Sequence, residues 1–309
     1  MQNIYDVIVI GGGAAGYSAA LYSARAGLDC LVVEGISPGG QMGLTDIIEN
    51  YPGFDEGIDG FTLGAKMQAG AERWGAKTVY GTVDAVELDT NAKIISVDGI
   101  KYLAKAVIIA TGASPKKLGL AEEEGLVGRG VHYCAHCDGR FYKDKTVVVL
   151  GGGNSAVSDA VYLSRLAKKV YLVHRRDKLK AEKPLQKALA EASNVEFIKD
   201  STLVKINATD RVSSAEIKNL KTNELRYVDT DGIFISIGRS PRTELFSEQV
   251  ACDKNGYIIA DETTKTNIQG VFAAGDVRTK VLRQVVTAAA DGAISAHFAD
   301  EYLSYESTK

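Results

Sequence analysis

Several features that mark other classes of protein are scarce in this chain. Its 309 residues include only 4 cysteines and 5 prolines. Four cysteines are too few for a disulfide scaffold, and so few prolines argue against a proline-rich linker. Lys and Arg total 36 against 39 Asp and Glu, so the net charge is −3. The chain therefore lacks the basic excess typical of nucleic-acid-binding proteins.

Signals for a membrane or for export are also missing. No run of about 18 apolar residues occurs, so we predict no membrane span. No basic segment precedes the first apolar run, and Asp6 interrupts that run, so we predict no secretory signal. One close cysteine pair among so few cysteines is typical of redox or metal chemistry in a reducing compartment. We therefore expect a soluble cytoplasmic protein.

Glycine, by contrast, is abundant. Its 32 residues are about a tenth of the chain, against a usual ~7%, and they predict tight backbone turns near ligands. The composition is 45% hydrophobic and 24% charged, which excludes a disordered chain. At roughly 150 residues per domain, the length predicts about two domains, enough for a sizeable core without disulfides.

Two segments repeat one pattern, a βαβ unit that opens on a glycine turn. The first is expected to contain a strand at Tyr5–Ile10, a helix at Ala14–Ala26 and a strand at Cys30–Glu34. The second is expected to contain a strand at Thr146–Leu150, a helix at Asn154–Ala167 and a strand at Val170–His174. The strands are short runs rich in β-branched residues, which is typical of buried parallel strands.

Other elements are expected between and after these units. Residues 78–102 alternate in short runs that predict an antiparallel ribbon, and residues 105–111 predict a buried strand. Residues 195–237 predict a further set of short strands. Near the end, Gly270–Gly275 predicts a strand running into Asp276, and Gln284–Leu303 predicts a closing helix.

The first glycine turn carries a dinucleotide-binding fingerprint, G-x-G-x-x-G, between a strand and a helix. Gly11 permits the tight turn, Gly13 lets the backbone approach a pyrophosphate, and Gly16 lets the helix pack close to the sheet. The helix N-terminus offers free N–H groups to phosphates. Glu34 ends the next strand, where a carboxylate accepts hydrogen bonds from ribose hydroxyls and repels a 2′-phosphate. The alternative is a turn with a structural role only.

The second fingerprint is Gly151-Gly152-Gly153-Asn154-Ser155-Ala156, in which alanine replaces the third glycine, an accepted variant. Here the second strand ends in a basic segment that contains His174, Arg175, Arg176, Lys178 and Lys180. Arginines at this place favour a 2′-phosphate through planar, charge-assisted hydrogen bonds. The alternative is a solvated basic helix start. The contrast with Glu34 predicts two different dinucleotides on one chain, the second being NADP.

The cysteine pair, Cys134-Ala135-His136-Cys137, lies just before the second βαβ unit. A structural zinc site needs four ligands, and no second Cys or His pair accompanies this one, although His132 is near in sequence. A haem attachment site needs C-x-x-C-H, and Asp138 stands where that histidine would be. A redox dithiol is favoured, because two cysteines at this spacing can close a small disulfide.

The role of the residue between the two cysteines stays open. His136 could favour a thiolate and make the disulfide more oxidising, or it could be an exposed loop residue without effect. The isolated cysteines, Cys30 and Cys252, are expected to be inert, since Cys30 falls in a predicted buried strand.

In this order, the motifs resemble those of the bacterial-type, low-molecular-weight thioredoxin reductases of the pyridine nucleotide-disulfide oxidoreductase family. The resemblance covers nearly the whole length. Its motifs are Gly11–Gly16 with Glu34, Gly39–Gln41, Glu49–Gly53, Ala110–Ala113, Cys134–Gly139, Gly151–Ala156, His174–Asp177, Ala274–Asp276 and Arg283–Gln284.

The resemblance implies an α/β fold with two Rossmann-like, three-layer dinucleotide-binding domains. Residues 1–113 and 244–309 would form the FAD domain, and residues 114–243 would form an inserted NADPH domain that carries the cysteines. Electrons would pass from NADPH through FAD and the dithiol to thioredoxin, in a homodimer. A rotation of the inserted domain is also implied, with hinges near Ala113–Lys117 and Ile237–Thr243.

The resemblance also assigns roles to particular residues. Cys137 would face the flavin, and Cys134 would attack the thioredoxin disulfide. Asp138 would be the general acid or base for these thiols, or else only a turn or helix-cap residue. No metal is implied. The flavin-binding residues would be Gly11, Gly13, Ala14, Gly16, Glu34, Gly40, Gln41, Asn50, Thr111, Gly112, Asp276, Arg283 and Gln284. The NADPH-binding residues would be Gly151, Gly153, Asn154, Ser155, Ala156, His174, Arg175, Arg176 and Lys180.

Three positions depart from the common family pattern. Ser158-Asp159 stand where many members have two glutamates, Lys180 stands where an arginine is usual, and His136 stands where threonine is more frequent. The first two departures leave open an alternative, a flavoprotein of the same fold that takes electrons from ferredoxin or acts as a dithiol oxidase. A third possibility is a non-catalytic redox sensor or metal-binding module that uses the same cysteines.

Overall fold

The computed structural model describes residues 4–35, 39–45 and 47–306. The chain divides into two units. Residues up to Ser114 and from Ser240 onward form the outer unit, and Pro115–Arg239 form the inserted unit. The sequence predicted domain boundaries after residues 113 and 243. In the structure, the chain passes from one unit to the other after residues 114 and 239.

Among the described residues, the first part of the outer unit contains seven strands and two helices, and the last of these strands later pairs with a strand that follows the inserted unit. In chain order these are β1 (Ile4–Ile10), α1 (Ala14–Arg25), β2 (Cys30–Glu34), α2 (Gly60–Glu72), β3 (Lys77–Tyr80), β4 (Val83–Glu87), β5 (Lys93–Val97), β6 (Ile100–Ile109) and β7 (Ala113–Pro115).

The inserted unit follows, and the chain then returns to the outer unit. The next elements are β8 (Val131–His132), α3 (Ala135–Asp138), β9 (Thr146–Leu150), α4 (Asn154–Ser164), β10 (Lys169–Val173), α5 (Lys183–Glu191), β11 (Val195–Ile198), β12 (Ser201–Ala208), β13 (Val212–Asn219), β14 (Leu225–Asp229), β15 (Gly232–Ile235) and β16 (Arg239–Pro241). The last two are β17 (Val271–Ala273) and α6 (Val285–Glu306).

Both units are built on a parallel sheet with equivalent strand order. The order is β3-β2-β1-β6-β17 in the outer unit and β11-β10-β9-β15-β8 in the inserted unit. Antiparallel strands accompany each sheet: β4 and β5 beside β6, and a separate sheet of β12, β13 and β14. The predicted α/β fold with two Rossmann-like units, one inserted into the other, is confirmed.

Alternate residues of β1 face two different cores. Val7 and Val9 pack with alanines of α1 and α6. Ile8 and Ile10 pack on the other side of the sheet, in a cluster with Phe246. Because parallel strands are covered on both faces, they read as continuous apolar runs, which is why these strands could be recognised from the sequence.

The prediction of an antiparallel ribbon at residues 78–102 is wrong for the first part of that segment. β3 pairs with β2 in the parallel sense, with Leu31 opposite Lys77. Alternation indicates that one face of a strand is buried, but it does not give the direction of the neighbouring strand. The end of this segment and the strand predicted at residues 105–111 belong to one strand of ten residues, β6. Its first half pairs antiparallel with β5, and its last three residues pair parallel with β17.

The two connections between the units run side by side. Strands β7 and β16 pair with each other in a two-stranded ribbon. The Arg242 N–H donates to the Gly112 carbonyl at 3.0 Å, and the Lys116 N–H donates to the Gly238 carbonyl at 3.0 Å. The segments predicted as hinges contain this ribbon, and their movement stays a prediction.

Candidate cofactor and dithiol sites

The glycine turn of the outer unit leaves no room for side chains on its inner side. A Cβ on Gly11, which has a φ of +105°, would lie 2.6 Å from the Ala110 carbonyl oxygen. A Cβ on Gly16 would lie 1.7 Å from the Gly11 oxygen. Gly13 faces open space, and as the N-cap of α1 it provides no side-chain cap. The first turn of α1 contains no acidic residue, so its N–H groups are available to an anion.

Glu34 lies buried directly beside this turn, with 6% of its surface exposed. Its Oε1 accepts a hydrogen bond from the Gly35 N–H at 2.7 Å. Its Oε2 is buried and accepts no hydrogen bond from the described residues, and a Cβ on Gly12 would fall 1.9 Å from that oxygen. Burial raises the pKa of Glu34, against the opposing effect of the backbone N–H groups of Gly35, Gly12 and Gly39. An oxygen in this state favours a ligand that brings hydroxyl donors.

Other predicted flavin residues meet at this end of the sheet. The Gly39 N–H donates to the Gly12 carbonyl at 3.0 Å, and a Cβ on Gly40 would lie 3.5 Å from the Gly13 Cα. Gln41 follows in the same short 3₁₀ turn. Thr111 lies against Gly11, since a Cβ on Gly11 would be 3.3 Å from its Cα.

The last predicted flavin residues come from the return of the chain to the outer unit. The Asn50 amide donates to Oε1 of Gln284 at 3.0 Å. Asp276 lies in the 3₁₀ turn Gly275–Val277 that follows β17. The guanidinium of Arg283 lies 4.1 Å from the centre of the Tyr257 ring, and its Nη2 donates to the Arg278 carbonyl at 3.3 Å.

A buried ion cluster, which no sequence motif indicates, holds the turn around Asp276 in place. Asp291 accepts a hydrogen bond from the Gly275 N–H at 2.9 Å and pairs with Arg278 and Lys280, each at 2.8 Å. Burial opposes ionisation of Asp291, but the two cations outweigh it and lower its pKa. The available signal was an acidic residue inside an otherwise apolar helical stretch.

The glycine turn of the inserted unit repeats this arrangement at the end of β9. A Cβ on Gly151, at a φ of +140°, would lie 2.4 Å from the Ser236 oxygen. Gly153 faces open space and caps α4 without a side chain, and no acidic residue occupies the first turn. Ala156 is fully buried. The turn thus provides a second set of free N–H groups for an anion.

The residue that follows β10 reverses the charge found in the outer unit. His174 lies against Gly152, where an added Cβ would be 2.5 Å from its ring. Burial lowers the pKa of His174, with further lowering by Arg175, Arg176 and Lys180. The place that holds a carboxylate in the outer unit therefore holds a neutral imidazole beside three cations. The Lys180 N–H donates to the Gly152 carbonyl at 2.7 Å, which joins the basic segment to the glycine turn.

Two neighbouring residues of this turn differ in what their side chains do. Asn154 is engaged by the chain itself, because its amide donates to Glu182 Oε1 at 3.0 Å and its Oδ1 accepts from the Glu182 N–H at 2.9 Å. Ser155 is exposed.

The cysteine pair follows β8, at the same edge of the sheet as the second glycine turn. Cys134 and Cys137 form a disulfide, with their Cα atoms 5.3 Å apart. Cys134 caps the one-turn helix α3, since its sulfur accepts a hydrogen bond from the Cys137 N–H at 3.2 Å. Asp138 ends this helix, and its Oδ2 lies 3.1 Å from Nδ1 of His132.

The two other cysteines have environments that suppress thiolate formation. Burial raises the pKa of Cys30 to about 12, with a smaller contribution from Asp29. Burial also raises the pKa of Cys252. Because the thiolate is the reactive form, neither thiol is expected to be reactive near neutral pH.

Two of the residues that depart from the family pattern, Asp159 and His136, lie on α4 and on the one-turn helix α3. Asp159 on α4 accepts a hydrogen bond from the Ser236 hydroxyl. Burial raises the pKa of Asp159, while Ser236, His136 and Arg239 lower it. His136 is exposed, and its ring centre lies 4.3 Å from that of Tyr162.

Neither a membrane-crossing helix nor a metal cluster occurs in the part of the chain that the structure describes. No helix there is both long and apolar enough to cross a membrane. No group of three or more His, Cys, Asp or Glu side chains among those residues could hold a metal ion.

Comparison with known proteins identifies the class of protein that this fold and these sites define. Residues 5–292 match the family described as pyridine nucleotide-disulphide oxidoreductase. The chain belongs to this family.

Individual relatives are similar over nearly their whole length. A thioredoxin reductase of Listeria monocytogenes is 46% identical over 303 residues, which cover 98% of this chain and 95% of that protein. A thioredoxin reductase of Bacillus subtilis is 44% identical over 303 residues and covers 98% of this chain. The crystal structure of a thioredoxin reductase from Streptococcus pyogenes superimposes with a TM-score of 0.91 at 43% identity, covering 99% of this chain and all of that one.

Proposed function

We propose that this chain is an NADPH-dependent, FAD-containing thioredoxin-disulfide reductase whose working dithiol is Cys134–Cys137. The observation that carries the proposal is one sheet edge in the inserted unit, where a disulfide and a glycine turn with flanking arginines occur together. The outer unit adds a second glycine turn with a carboxylate in place of the cations. The likeness to thioredoxin reductases supports this choice of substrate.

The outer unit fits FAD. Free N–H groups at the start of α1 suit its pyrophosphate, and the buried Oε2 of Glu34 suits ribose hydroxyls. Gly11, Gly13, Ala14 and Gly16 would form the cradle. The residues that would surround the rest of the group are Gly40, Gln41, Asn50, Thr111, Gly112, Asp276, Arg283 and Gln284. Bound FAD supplies a carrier that accepts two electrons and passes them to a disulfide.

The inserted unit fits NADPH. The N-terminus of α4 suits the pyrophosphate, and Arg175, Arg176 and Lys180 surround the place where a 2′-phosphate would lie. His174 contributes no charge there, and Asn154 helps hold the turn through Glu182. A carboxylate at this place would repel the phosphate, so the basic segment selects NADPH over NADH.

The dithiol performs the exchange with thioredoxin. In the reduced enzyme, the Cys134 thiolate attacks one sulfur of the thioredoxin disulfide, forms a mixed disulfide and expels the other thioredoxin sulfur. The Cys137 thiolate then attacks Cys134 Sγ, which closes the enzyme disulfide and releases the second thioredoxin sulfur. Each released thiolate takes up one proton, and Asp138, next to Cys137 in the chain, is the group that donates or accepts it.

Partners and location complete the proposal. The substrate is a thioredoxin-like protein disulfide, and the chain works as a homodimer in the cytoplasm. The dimer is inferred from the resemblance to thioredoxin reductases, and the location from the reducing compartment that the cysteine usage indicates.

Anaerobic mixing of the purified flavoprotein with NADPH, and separately with NADH, tests the proposal directly. We expect rapid bleaching of the flavin by NADPH and slow bleaching by NADH, followed by reoxidation on addition of oxidised thioredoxin, whose disulfide accepts the two electrons. Ser158, Asp159 and Lys180 motivate the alternative, a flavoprotein that uses ferredoxin as donor or oxidises dithiols. Absence of bleaching by either nucleotide would favour that alternative.

Glu34 provides a prediction in which stability and cofactor binding change in opposite directions. Because burial raises its pKa, the folded protein holds more protons than the unfolded chain as pH rises above the ordinary value of 4.5. The stability of the cofactor-free protein therefore falls with rising pH in that window. We expect Glu34→Gln to raise the Tm of the cofactor-free protein at pH 7 and to weaken FAD binding roughly 10- to 100-fold.

Thermal unfolding of the cofactor-free protein at pH 5 and pH 8, together with titration of FAD by fluorescence, measures both effects. Glu56→Gln, at an exposed position of the same unit, is the matched control and leaves both unchanged. Unaltered FAD affinity in Glu34→Gln would show that this carboxylate does not hold the cofactor.

A further inference from the structure

We propose that His132 is the positioning residue for Asp138, and that it forms with Tyr142 a buried hydrogen-bonded chain that aims the proton-transfer carboxylate. This inference rests on the proposed function, in which Asp138 serves the Cys134–Cys137 dithiol.

Two short contacts join the three side chains within the inserted unit. His132 Nδ1 is 3.1 Å from Asp138 Oδ2, and His132 Nε2 is 2.6 Å from the Tyr142 hydroxyl. The exposed fractions of the side chains are 6% for His132 and 19% for Asp138, and Tyr142 is 2% exposed. Both nitrogens of the imidazole are therefore used, and the chain leads from the buried Tyr142 toward the dithiol helix.

The imidazole is fixed by the sheet and by aromatic packing. His132 lies on β8, opposite Phe234 of β15 in the parallel register. Its ring stacks on Phe234 at a centroid distance of 5.2 Å and meets the edge of Tyr142 at 5.2 Å. A ring held in this way cannot rotate to follow Asp138, so the carboxylate has to take the orientation that the imidazole sets.

The direction of the hydrogen bonds follows from the partners. Burial raises the pKa of Tyr142, partly offset by Arg211, so the phenol keeps its proton and donates it to His132 Nε2. With Nε2 accepting from the phenol, the imidazole carries its proton on Nδ1, which donates to Asp138 Oδ2. Oδ2 of Asp138 is thereby occupied, and Oδ1 is not part of this hydrogen-bonded chain. The arrangement leaves one oxygen for proton exchange with a thiol.

Without this chain, the carboxylate would have little to hold it. Helix α3, which carries Asp138, has only four residues. Ordering a side chain at the moment of reaction costs free energy, and misplacement of a catalytic group by about 1 Å lowers rates by roughly 10²-fold. We infer that His132 removes this cost in advance.

Two substitutions at the same position separate the hydrogen bond to Asp138 from the packing of the ring. The amide nitrogen of Asn can replace Nδ1, whereas the longer side chain of Gln reaches toward the place of Nε2. Both remove the aromatic ring. We expect His132→Gln to lower kcat for thioredoxin reduction roughly 10- to 100-fold at unchanged KM. His132→Asn keeps the hydrogen bond to Asp138 but loses the ring and the bond to Tyr142, and we expect it to lower kcat by only about three- to tenfold.

The tyrosine end of the chain has a matched control. Tyr142→Phe removes the donor to Nε2, and we expect a fall in kcat of about three- to tenfold. Tyr133→Phe removes a hydroxyl that donates to Glu123 at 2.6 Å, outside the chain to Asp138, and is expected to leave kcat unchanged. Flavin content and Tm, measured for each variant, report whether the fold is retained.

A double-mutant cycle with Asp138→Asn decides the route of the effect. If His132 acts through Asp138, His132→Gln has no further effect on kcat in the Asp138→Asn background. Additive losses, or equal losses in the Gln and Asn variants, would overturn the positioning role. A normal kcat in Asp138→Asn alone would instead contradict the proposed role of Asp138. If NADPH did not reduce the flavin of the wild-type protein, the proposed function itself would be contradicted.

Discussion

Replacing Cys137 with Ser will abolish thioredoxin reduction while leaving the reduction of the flavin by NADPH intact. The remaining Cys134 thiol can still attack a disulfide, but nothing resolves the mixed disulfide, and electrons no longer pass from the flavin to a protein disulfide. We expect kcat for thioredoxin to fall at least about 10³-fold, as for loss of other covalent nucleophiles. Steady-state turnover with thioredoxin and stopped-flow flavin bleaching measure the two half-reactions separately.

Cys252→Ser is the matched control, because it removes a thiol whose pKa is raised by burial and which lies in the outer unit. We expect it to turn over thioredoxin at the wild-type rate. The Cys137→Ser variant is also expected to accumulate a covalent complex with thioredoxin through Cys134, visible by mass under non-reducing conditions. Sustained turnover in Cys137→Ser would show that another group carries the electrons.

The second large effect is expected at the basic segment of the inserted unit. Replacing both Arg175 and Arg176 with Ala removes two candidate charge-assisted bonds to the 2′-phosphate, each contributing about 1.5–3 kcal/mol. We expect kcat/KM for NADPH to fall roughly 10²- to 10⁴-fold, mainly through KM. The value for NADH, which lacks this phosphate, is expected to change little, so that the preference between the two nucleotides shrinks or reverses.

Lys187→Ala removes a cation from an exposed position on α5 and controls for a change in overall charge. It is expected to leave the nucleotide preference unchanged. Equal losses for NADPH and NADH in the arginine double variant would mean that the segment supports the fold of the turn and does not recognise the phosphate.

The sequence was sufficient to predict secondary-structure elements whose pattern lies within a few consecutive residues. Strands β2 and β9 have the predicted bounds, because short β-branched runs between glycine-rich turns indicate buried strands with definite ends. Helices α2 and α5 were not predicted. Helix α2 begins at the Asp59 cap, which accepts a hydrogen bond from the Thr62 N–H at 2.7 Å, and α5 has a proline in its first turn. Both signals were present, and each helix also has apolar residues four positions apart that pack against a core, Leu63 with Met67 in α2 and Leu185 with Leu189 in α5. Both helices could therefore have been predicted.

The site was predictable only as far as its motifs reach. Residue type and spacing are enough to predict the glycine turns, Glu34 and the cysteine pair. The contacts of His132 with Tyr142, and of Asp291 with Arg278, join residues ten and thirteen positions apart that no motif links. Pairings of this kind depend on how the chain folds back on itself, and a single sequence does not show them.

The paired connections of β7 and β16 bear on how the chain folds. While the inserted unit is unfolded, the outer unit must close its sheet across a loop running from Pro115 to Arg239. For about 125 flexible residues, the entropy of closure is of the order of 4 kcal/mol. Once the inserted unit has folded, its two ends emerge as hydrogen-bonded neighbours, and most of that entropy has already been lost. Folding of the inserted unit thus lowers the entropy cost of closing the sheet of the outer unit.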